Sequence, residues 1–158
     1  MAREKGQERG LLGLSPLYET VEAAILTPYV ANEKPVSLLI VSAPEAGKTS
    51  VMKTYAENKG VVFISDCTAY GLTRDILPKI ASGEIRTIII PDLLVPFSRS
   101  HRTKSALVGF LNALVEEGIA KITTYGVVWE KPVKANVIAG VTKQELFDAR
   151  HDWAKLGF

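Results

Sequence analysis

One segment of the chain combines residue types that suit the binding of phosphate. Residues 42–50, called the GKT loop below, read Ser42-Ala43-Pro44-Glu45-Ala46-Gly47-Lys48-Thr49-Ser50. They match the phosphate-loop pattern G-x-x-x-x-G-K-[ST] except at the first position, where Ser42 replaces glycine. In that pattern backbone amides around Gly47 point at a phosphate, Lys48 offsets the charge of the β- and γ-phosphates, and Thr49 offers a hydroxyl to Mg²⁺. We therefore expect residues 42–50 to bind a nucleotide.

An ordinary strand-to-helix turn, with Lys48 as a solvated surface lysine, is the alternative interpretation of this segment. The flanking sequence favours nucleotide binding, because an apolar, β-branched run typical of a strand buried on both faces precedes it at 36–41 and a helix is expected over 49–58. Ser42 weakens the match, since a non-glycine residue resists unusual backbone angles.

Asp92 is the second candidate for phosphate chemistry. It follows Pro91 at the end of the apolar run 87–90, where a carboxylate would hold Mg²⁺ through water or together with the hydroxyl of Thr49. The alternative is a turn residue or helix cap, which is common after proline. We favour the metal role because the GKT loop precedes it in the sequence.

Composition limits the class of protein. The 158 residues are 47% apolar and 23% charged, which fits one globular domain and excludes a disordered chain. A net charge of +2 means that anions must bind at a local site rather than over the whole surface. Cys67 is the single cysteine, which excludes an intrachain disulfide framework and suggests a reducing, cytoplasmic setting.

The order of the expected elements indicates the fold. Residues 1–10 are charged and predict a flexible tail, and 11–158 form one domain without a membrane span or signal peptide. Strands are expected over 36–41, 61–64, 87–90 and 137–141, a hairpin over 119–129, and helices over 17–27 (capped by Ser15), 49–58, 72–81 (disturbed at Pro78), 105–117 and 143–155. This alternation predicts an α/β fold with a mainly parallel sheet between two helical layers, whose ligands bind at the carboxyl ends of the strands.

With these motifs and this alternation, the chain resembles the core of the P-loop ATPases that have an additional strand between the Walker A and Walker B strands, most closely the AAA+ type. The resemblance implies ATP and Mg²⁺ as cofactors, and ATP hydrolysis that drives remodelling of a partner or movement on it. It also implies that residues 10–28 flank the adenine and that the full-length protein forms a homo-oligomeric ring. The family senses the γ-phosphate with a polar residue that ends the strand after Walker B, which here is Thr142. A capping box formed with Glu145 is an equal alternative for Thr142.

The chain departs from the family where the catalytic base should stand. Leu93 occupies the position of the glutamate that usually follows the Walker B aspartate. Asp66, at the carboxyl end of the second strand, is the best substitute, because some related helicase-type ATPases carry a carboxylate on that strand. A solvated turn or capping residue is the favoured alternative for Asp66. Glu116 and Glu117 are weaker candidates at the end of a helix.

Two further departures concern the end of the chain. The family's fifth core strand and helical lid should follow the last expected helix, but the sequence ends at Phe158, which suggests a fragment of a longer protein. The arginine finger that acts between subunits has no clear counterpart. Arg150 lies in a suitable region, and a surface position is at least as good an interpretation.

A basic segment after the third strand is a candidate contact for nucleic acid. Single-stranded DNA or RNA would suit this charge, with Phe97 available for stacking. A solvated loop and helix start is the favoured alternative. The hairpin around Tyr125, with Trp129, could touch the same substrate, although an aromatic pair more often packs on the sheet edge. The basic residues are Arg99, His101, Arg102 and Lys104.

Three functions remain open at this stage. The first is an ATPase that acts on a partner, with nucleic acid as the preferred partner. The second is a nucleotide-dependent switch or assembly module with little hydrolysis, which the leucine at position 93 favours. A small-molecule or nucleoside kinase is less favoured, since no arginine-rich lid is evident. ATP is preferred over GTP because Asn32-Glu33-Lys34-Pro35 does not match the guanine signature N-K-x-D.

Overall fold

The computed structural model describes residues 13–116, 118–124, 127–130 and 132–148. A 3-10 turn, Thr27–Tyr29, extends the first helix, and a π-helical turn, Leu72–Ile76, joins α3 to α4. The helices and strands are α1 (Ser15–Leu26), β1 (Leu38–Ser42), α2 (Lys48–Lys53), β2 (Val61–Phe63), α3 (Ala69–Gly71), α4 (Leu77–Ala81), β3 (Thr87–Ile90), α5 (Leu94–Phe97), α6 (His101–Glu116), β4 (Ile122–Thr124), β5 (Val127–Trp129), β6 (Asn136–Thr142) and α7 (Lys143–Asp148).

Four parallel strands form the main sheet, in the order β1-β6-β3-β2. The last strand in the chain, β6, therefore lies between β1 and β3. Ser42 at the end of β1 is opposite Thr142 at the end of β6, and Ile90 at the end of β3 is opposite Ala139. Strands β4 and β5 form a separate antiparallel hairpin. The expected α/β fold, its parallel sheet and its hairpin are confirmed.

Side chains that alternate along the strands build two apolar cores, one on each face of the sheet. On one face, Ile89 and Ile138 pack with Tyr18 of α1 and Met52 of α2. On the other face, the alternate strand residues pack with α4 and α6. Because successive side chains of a strand point to opposite faces, this arrangement gives three layers: helix, sheet, helix.

Burial differs between the central and the outer strands of the described sheet. All four residues of β3 are buried, whereas Val41 of β1 is 37% exposed. The expectation that the first strand is buried on both faces is wrong. Within the described residues β1 pairs with β6 alone, so one of its edges lacks a described neighbour and its side chains are only half-covered.

Several helix boundaries differ from the expected ones. Ser15 is not the N-cap of α1; Leu14 is, and it makes no capping hydrogen bond, while Pro16 in the first turn needs no amide partner. Helix α2 ends at Lys53, and turns replace the expected continuation to residue 58. The disturbance expected at Pro78 is confirmed by the π-helical turn directly before it, since proline removes a helical N–H and crowds the preceding turn.

One asparagine fixes the start of the sheet to helix α1. The buried Asn136 side-chain amide donates hydrogen bonds to the carbonyl oxygens of Ala24, at 2.8 Å, and Val36, at 3.0 Å. It thereby ties the end of α1 and the segment before β1 to β6.

None of the helices in the described ranges has the length and apolar character needed to cross a bilayer.

Close packing at Gly140 sets the position of the chain that leaves β3. A Cβ atom at Gly140 would lie 2.2 Å from the carbonyl oxygen of Pro91, and the Gly140 carbonyl accepts a 2.9 Å hydrogen bond from the amide of Leu93. The segment that contains Asp92 is therefore held against β6 by a contact that only glycine permits.

We expect Gly140→Ala to lower the free energy of unfolding by about 1–3 kcal/mol, since the added methyl group overlaps backbone that cannot move aside cheaply. Gly109→Ala is the matched control. Gly109 is an exposed residue of α6, and a Cβ there meets nothing within 4 Å. This control should be about 0.5–1 kcal/mol more stable than the parent chain, because alanine favours helix. Urea unfolding of both variants measures the difference, and equal stability of the two would contradict the close packing at Gly140.

Candidate functional site

Four polar residues selected from the sequence follow the carboxyl ends of the four parallel strands. Ser42 and Thr142 are paired in register on β1 and β6. The hydrogen bond from Leu93 to Gly140 places Asp92 beside β6, and a 2.9 Å bond from the Ile64 amide to the Ile89 carbonyl carries the chain towards Asp66 beside β3. The sheet thus brings all four to one edge, where ligands of parallel α/β sheets usually bind.

Backbone geometry within the GKT loop leaves several amides available. Glu45 and Gly47 have positive φ angles of 58° and 82°. Within the described part of the chain, no carbonyl or side chain accepts a hydrogen bond from the amides of Glu45, Ala46, Gly47 or Lys48. Alternation of left-handed and right-handed residues turns successive N–H groups inward, which is the geometry of an anion-binding nest. Ser42 needs no unusual angle because it ends β1.

Gly47 is required for space as well as for its backbone angle. A Cβ at this position would lie 2.8 Å from Cδ1 of Leu14, the residue that caps α1. The segment before α1 therefore contacts the GKT loop directly. Leu14 occupies the space that a side chain at position 47 would need.

Lys48 is the most unusual residue of the loop. It begins α2, is only 9% exposed, and no residue in the described ranges gives it a hydrogen bond or an ion pair. The alternative interpretation of Lys48 as a solvated surface lysine is therefore wrong. An anion bound at this position would give the ammonium the acceptor that the described residues do not supply.

Asp92 has a structural role that the sequence left as an alternative. Its Oδ1 accepts a 2.9 Å hydrogen bond from the amide of Leu94, two residues on, which closes a turn before helix α5, whose N-cap is Leu93. Since an ionised carboxylate has two oxygens and about four acceptor positions, this bond leaves Oδ2 able to bind a cation or water. Asp92 is therefore the turn residue of the alternative interpretation rather than the helix cap, and this role is compatible with the metal role.

Thr142 and Glu145 form the capping box expected from their spacing. The Thr142 amide donates to Oε2 of Glu145 at 2.7 Å, and the Glu145 amide donates to Oγ1 of Thr142 at 3.2 Å. In this arrangement the Thr142 hydroxyl accepts one hydrogen bond and keeps its own proton for another acceptor. Helix α7 therefore starts at the edge of the sheet that carries the GKT loop.

Asp66 lies exposed in a bend, as its favoured interpretation as a solvated turn residue held, and it is also ion-paired. Nη2 of Arg99 donates a hydrogen bond to Oδ2 of Asp66, and the two side chains are about 40% exposed. The pair joins the residue after β2 to the loop between α5 and α6. Sequence reasoning selected both residues but missed their pairing, because only the folded sheet shows that β2 and β3 are neighbours.

The remaining basic residues also differ from expectation. The basic segment is not a loop up to residue 104, because α6 starts at His101, after Ser100, whose Oγ accepts a hydrogen bond from the Thr103 amide at 3.4 Å. Arg102 and Lys104 thus belong to the first turn of α6, where Arg102 is exposed.

Other candidates lie elsewhere or outside the described residues. Glu116 ends α6 at the opposite edge of the sheet, 3.0 Å from the ammonium of Lys34, which precedes β1. The prediction that Glu116 could act as a catalytic base at the GKT loop is therefore wrong. Trp129 is half-buried and packs against the main core, as the alternative interpretation held. Glu117, Tyr125, Arg150 and the tail of residues 1–10 fall outside the described ranges.

A divalent cation would depend on few protein ligands here. Within the described ranges no three His, Cys, Asp or Glu side chains lie close enough to hold a metal ion together. A site made by Thr49 and Asp92 would thus need phosphate oxygens and water, which suits Mg²⁺ because it usually keeps several waters. The residues present fit that kind of ion bound with a nucleotide.

Cys67, the neighbour of Asp66, reports on the charges at this edge. Burial, assisted by the charge of Asp66 and opposed by that of Arg99, raises the pKa of its thiol to about 11. At neutral pH the thiol is therefore protonated and is a poor nucleophile.

A scan against models of known protein families gives no match to this sequence, and a search of curated proteins gives no significant match.

We expect the alkylation rate of Cys67 at pH 8 to change in opposite directions when the ion pair is altered. Asp66→Asn removes a negative charge, lowers the pKa of the thiol and should speed alkylation about threefold, since one pKa unit changes the thiolate fraction about tenfold. Arg99→Gln leaves Asp66 uncompensated, raises that pKa and should slow the reaction. Arg102→Gln is the control and should leave the rate unchanged. Equal rates in all of these variants, measured by mass spectrometry with iodoacetamide, would contradict the observed pairing.

Proposed function

We propose that this chain is the ATP-binding core of a Mg²⁺-dependent ATPase that acts on a partner. The observation that carries the proposal is Lys48, which is largely buried, lacks a described counter-charge, and stands in a G-K-T sequence directly after a parallel strand. A triphosphate supplies the missing negative charge, and the available amides of residues 45–48 add hydrogen bonds to it.

The strand order supports the same proposal. Strand β6 lies between β1, which leads into the GKT loop, and β3, which leads to Asp92. This is the order expected from the resemblance to P-loop ATPases with an additional strand between the two motif strands. The strand order supports the fold alone, and the proposed function rests on the residues of the site.

Each residue at the strand ends has a role in this proposal. Lys48 and the loop amides bind and orient the phosphates, and the Thr49 hydroxyl and free Oδ2 of Asp92 hold the cation. When bound, Mg²⁺ neutralises the charge that develops on the phosphates. The Thr142 hydroxyl donates a hydrogen bond to the terminal phosphate. Leu14, in contact with Gly47, closes the loop on the side of α1 and limits the access of water.

Activation of the attacking water is assigned to Asp66. Leu93 is apolar and only 3% exposed, so it cannot take this role. Asp66 is held by Arg99, and an exposed ion pair of this kind contributes only ~0.2–1 kcal/mol. A partner that binds Arg99 therefore releases the Asp66 carboxylate at little cost.

Nucleic acid is the proposed partner. Arg99 and Arg102 stand on either side of the start of α6, close in sequence to Lys104, and the phosphates of single-stranded DNA or RNA would attract them. Assembly into a homo-oligomeric ring is part of the same proposal and would place this surface of each copy around a shared strand.

A nucleotide-dependent switch with little hydrolysis is the second candidate function. The ion pair between Asp66 and Arg99 favours it, because the proposed base is then occupied, and the buried Leu93 has no carboxylate that could replace it. The two functions share the nucleotide site and differ in whether phosphate is released.

We expect Lys48→Ala to weaken binding of Mg²⁺–ATP at least about tenfold, because hydrogen bonds to charged groups are worth about 1.5–3 kcal/mol. Lys53→Ala is the matched control, since Lys53 is an exposed lysine in the last turn of the same helix. Isothermal titration calorimetry measures both affinities. If the two variants bind as tightly as the parent chain, the assignment of the nucleotide site is wrong.

A second experiment separates hydrolysis from switching. In the presence of single-stranded DNA, Asp66→Asn should reduce steady-state phosphate release at least about tenfold while ATP affinity stays unchanged, as expected for loss of a general base. Glu116→Gln is the control, because Glu116 lies at the opposite edge of the sheet. Tight ATP binding without phosphate release in the parent chain, with DNA or RNA supplied, would reject the ATPase in favour of the switch.

A further inference from the structure

A second pocket opens at the amino edge of the sheet, opposite the GKT loop. Its volume is about 590 Å³, within the range of small-molecule sites. It lies where β2 and β3 begin, between the turn before β2, the turn after α4 and the 3-10 turn that follows α1. No residue of the proposed nucleotide site lines it.

Arg86 is the central residue of this pocket. Its guanidinium lies over the ring of Tyr29, with 4.9 Å between the guanidinium carbon and the ring centroid. Its backbone is fixed on both sides, because its amide donates to the Gly60 carbonyl at 2.8 Å and its carbonyl accepts from the Asn136 amide at 3.2 Å. No carboxylate within the described ranges pairs with the guanidinium, so its donors remain available.

Two glycine turns give this arrangement its space. A Cβ at Gly60 would lie 2.5 Å from Oη of Tyr29, and a Cβ at Gly83 would lie 3.5 Å from Nη2 of Arg86. Both glycines have positive φ angles of about 80°. The Tyr29 hydroxyl therefore lies close against the Gly60 backbone, whereas Gly83 would allow ordinary contact with the guanidinium.

The charges around the pocket favour an anion. Lys59, Lys79 and Arg86 line it together with a single carboxylate, Glu84, which lies 3.7 Å from Lys79 in an exposed ion pair. The floor is apolar, because Val61, Val62 and the buried Ile85 also line it. A cationic rim over an apolar floor suits a molecule with an oxyanion at one end and a flat apolar body at the other.

We propose that this pocket binds a small organic oxyanion, a phosphate or carboxylate on a flat apolar group, with Arg86 as the anchoring residue. The guanidinium pairs with two oxygens of the ligand in the fork geometry that arginine prefers, while Lys59 adds charge at the rim. The apolar body lies on Val61 and Ile85. This site is separate from the nucleotide site and does not depend on the proposed function.

Phenyl phosphate and benzoate are the probes, titrated into the ¹⁵N-labelled chain and followed by amide chemical shifts. We expect amide shifts at Gly60, Gly83 and Arg86. Tighter binding of phenyl phosphate would indicate a preference for phosphate, and tighter binding of benzoate a preference for carboxylate. Phenyl phosphate also reaches the GKT loop in our account, so Gly47 and Lys48 are followed separately. Shifts at Gly47 and Lys48 alone, for both probes, would overturn the proposal without affecting the proposed function.

Arg86→Gln should weaken binding of the preferred probe at this pocket at least about tenfold, as expected for loss of a charge-assisted, two-point contact. Arg74→Gln is the matched control, since Arg74 is an exposed arginine that pairs with Asp75 and does not line this pocket, and the affinity of this variant for the probe should stay unchanged. If Arg86→Gln loses the dispersed amide spectrum of the folded chain, Lys59→Gln replaces it, with an expected weakening of about threefold. Unchanged affinity in the folded variant would overturn the proposal.

Discussion

Parallel pairing of β1, β6, β3 and β2 in a fixed register is the constraint on which the candidate site depends. It sets Ser42 opposite Thr142 and brings the chain after β3 against Gly140, whose missing side chain leaves room for the Pro91 carbonyl. A shift of one residue would reverse the faces of every strand and separate the GKT loop from Asp92. The two apolar cores, one on each face, make such a shift costly, and so the sheet determines which polar residues meet.

The edge of the sheet at the carboxyl ends of its strands has two parts that differ in charge. Around β1, Lys48 and the loop amides present positive charge without a described counter-charge, which makes this part ready for an anion. Around β2 and β3, Asp66 and Arg99 neutralise each other, and the burial of Cys67 beside them keeps its thiol protonated. In our account the first part binds nucleotide at all times, whereas the second acts only when a partner separates the ion pair.

The sequence predicted the fold better than the details of the site. Apolar runs at 61–64, 87–90 and 137–141 were each confirmed as strands within about one residue. The runs at 87–90 and 137–141 are the two central strands, whose burial demands continuous apolar sequence, whereas β2 is half-buried at the outside of the described sheet. The pairing of Asp66 with Arg99 could not be predicted, since 33 residues separate them and only the folded sheet brings them together. The left-handed conformation of Glu45 was missed for a similar reason, because it is imposed by the loop rather than by the residue. Short-range patterns did better: the capping box of Thr142 with Glu145 follows from spacing alone.

Amide hydrogen exchange of residues 45–48, with and without Mg²⁺–ATP, tests the central claim most directly. These amides donate no hydrogen bond within the described part of the chain, so they should exchange rapidly in the free protein. Our account predicts that the nucleotide slows their exchange at least about tenfold, while the amides around Gly60 and Gly83 are unaffected, because phosphate oxygens become their acceptors. Unchanged exchange at residues 45–48 in millimolar Mg²⁺–ATP would contradict it.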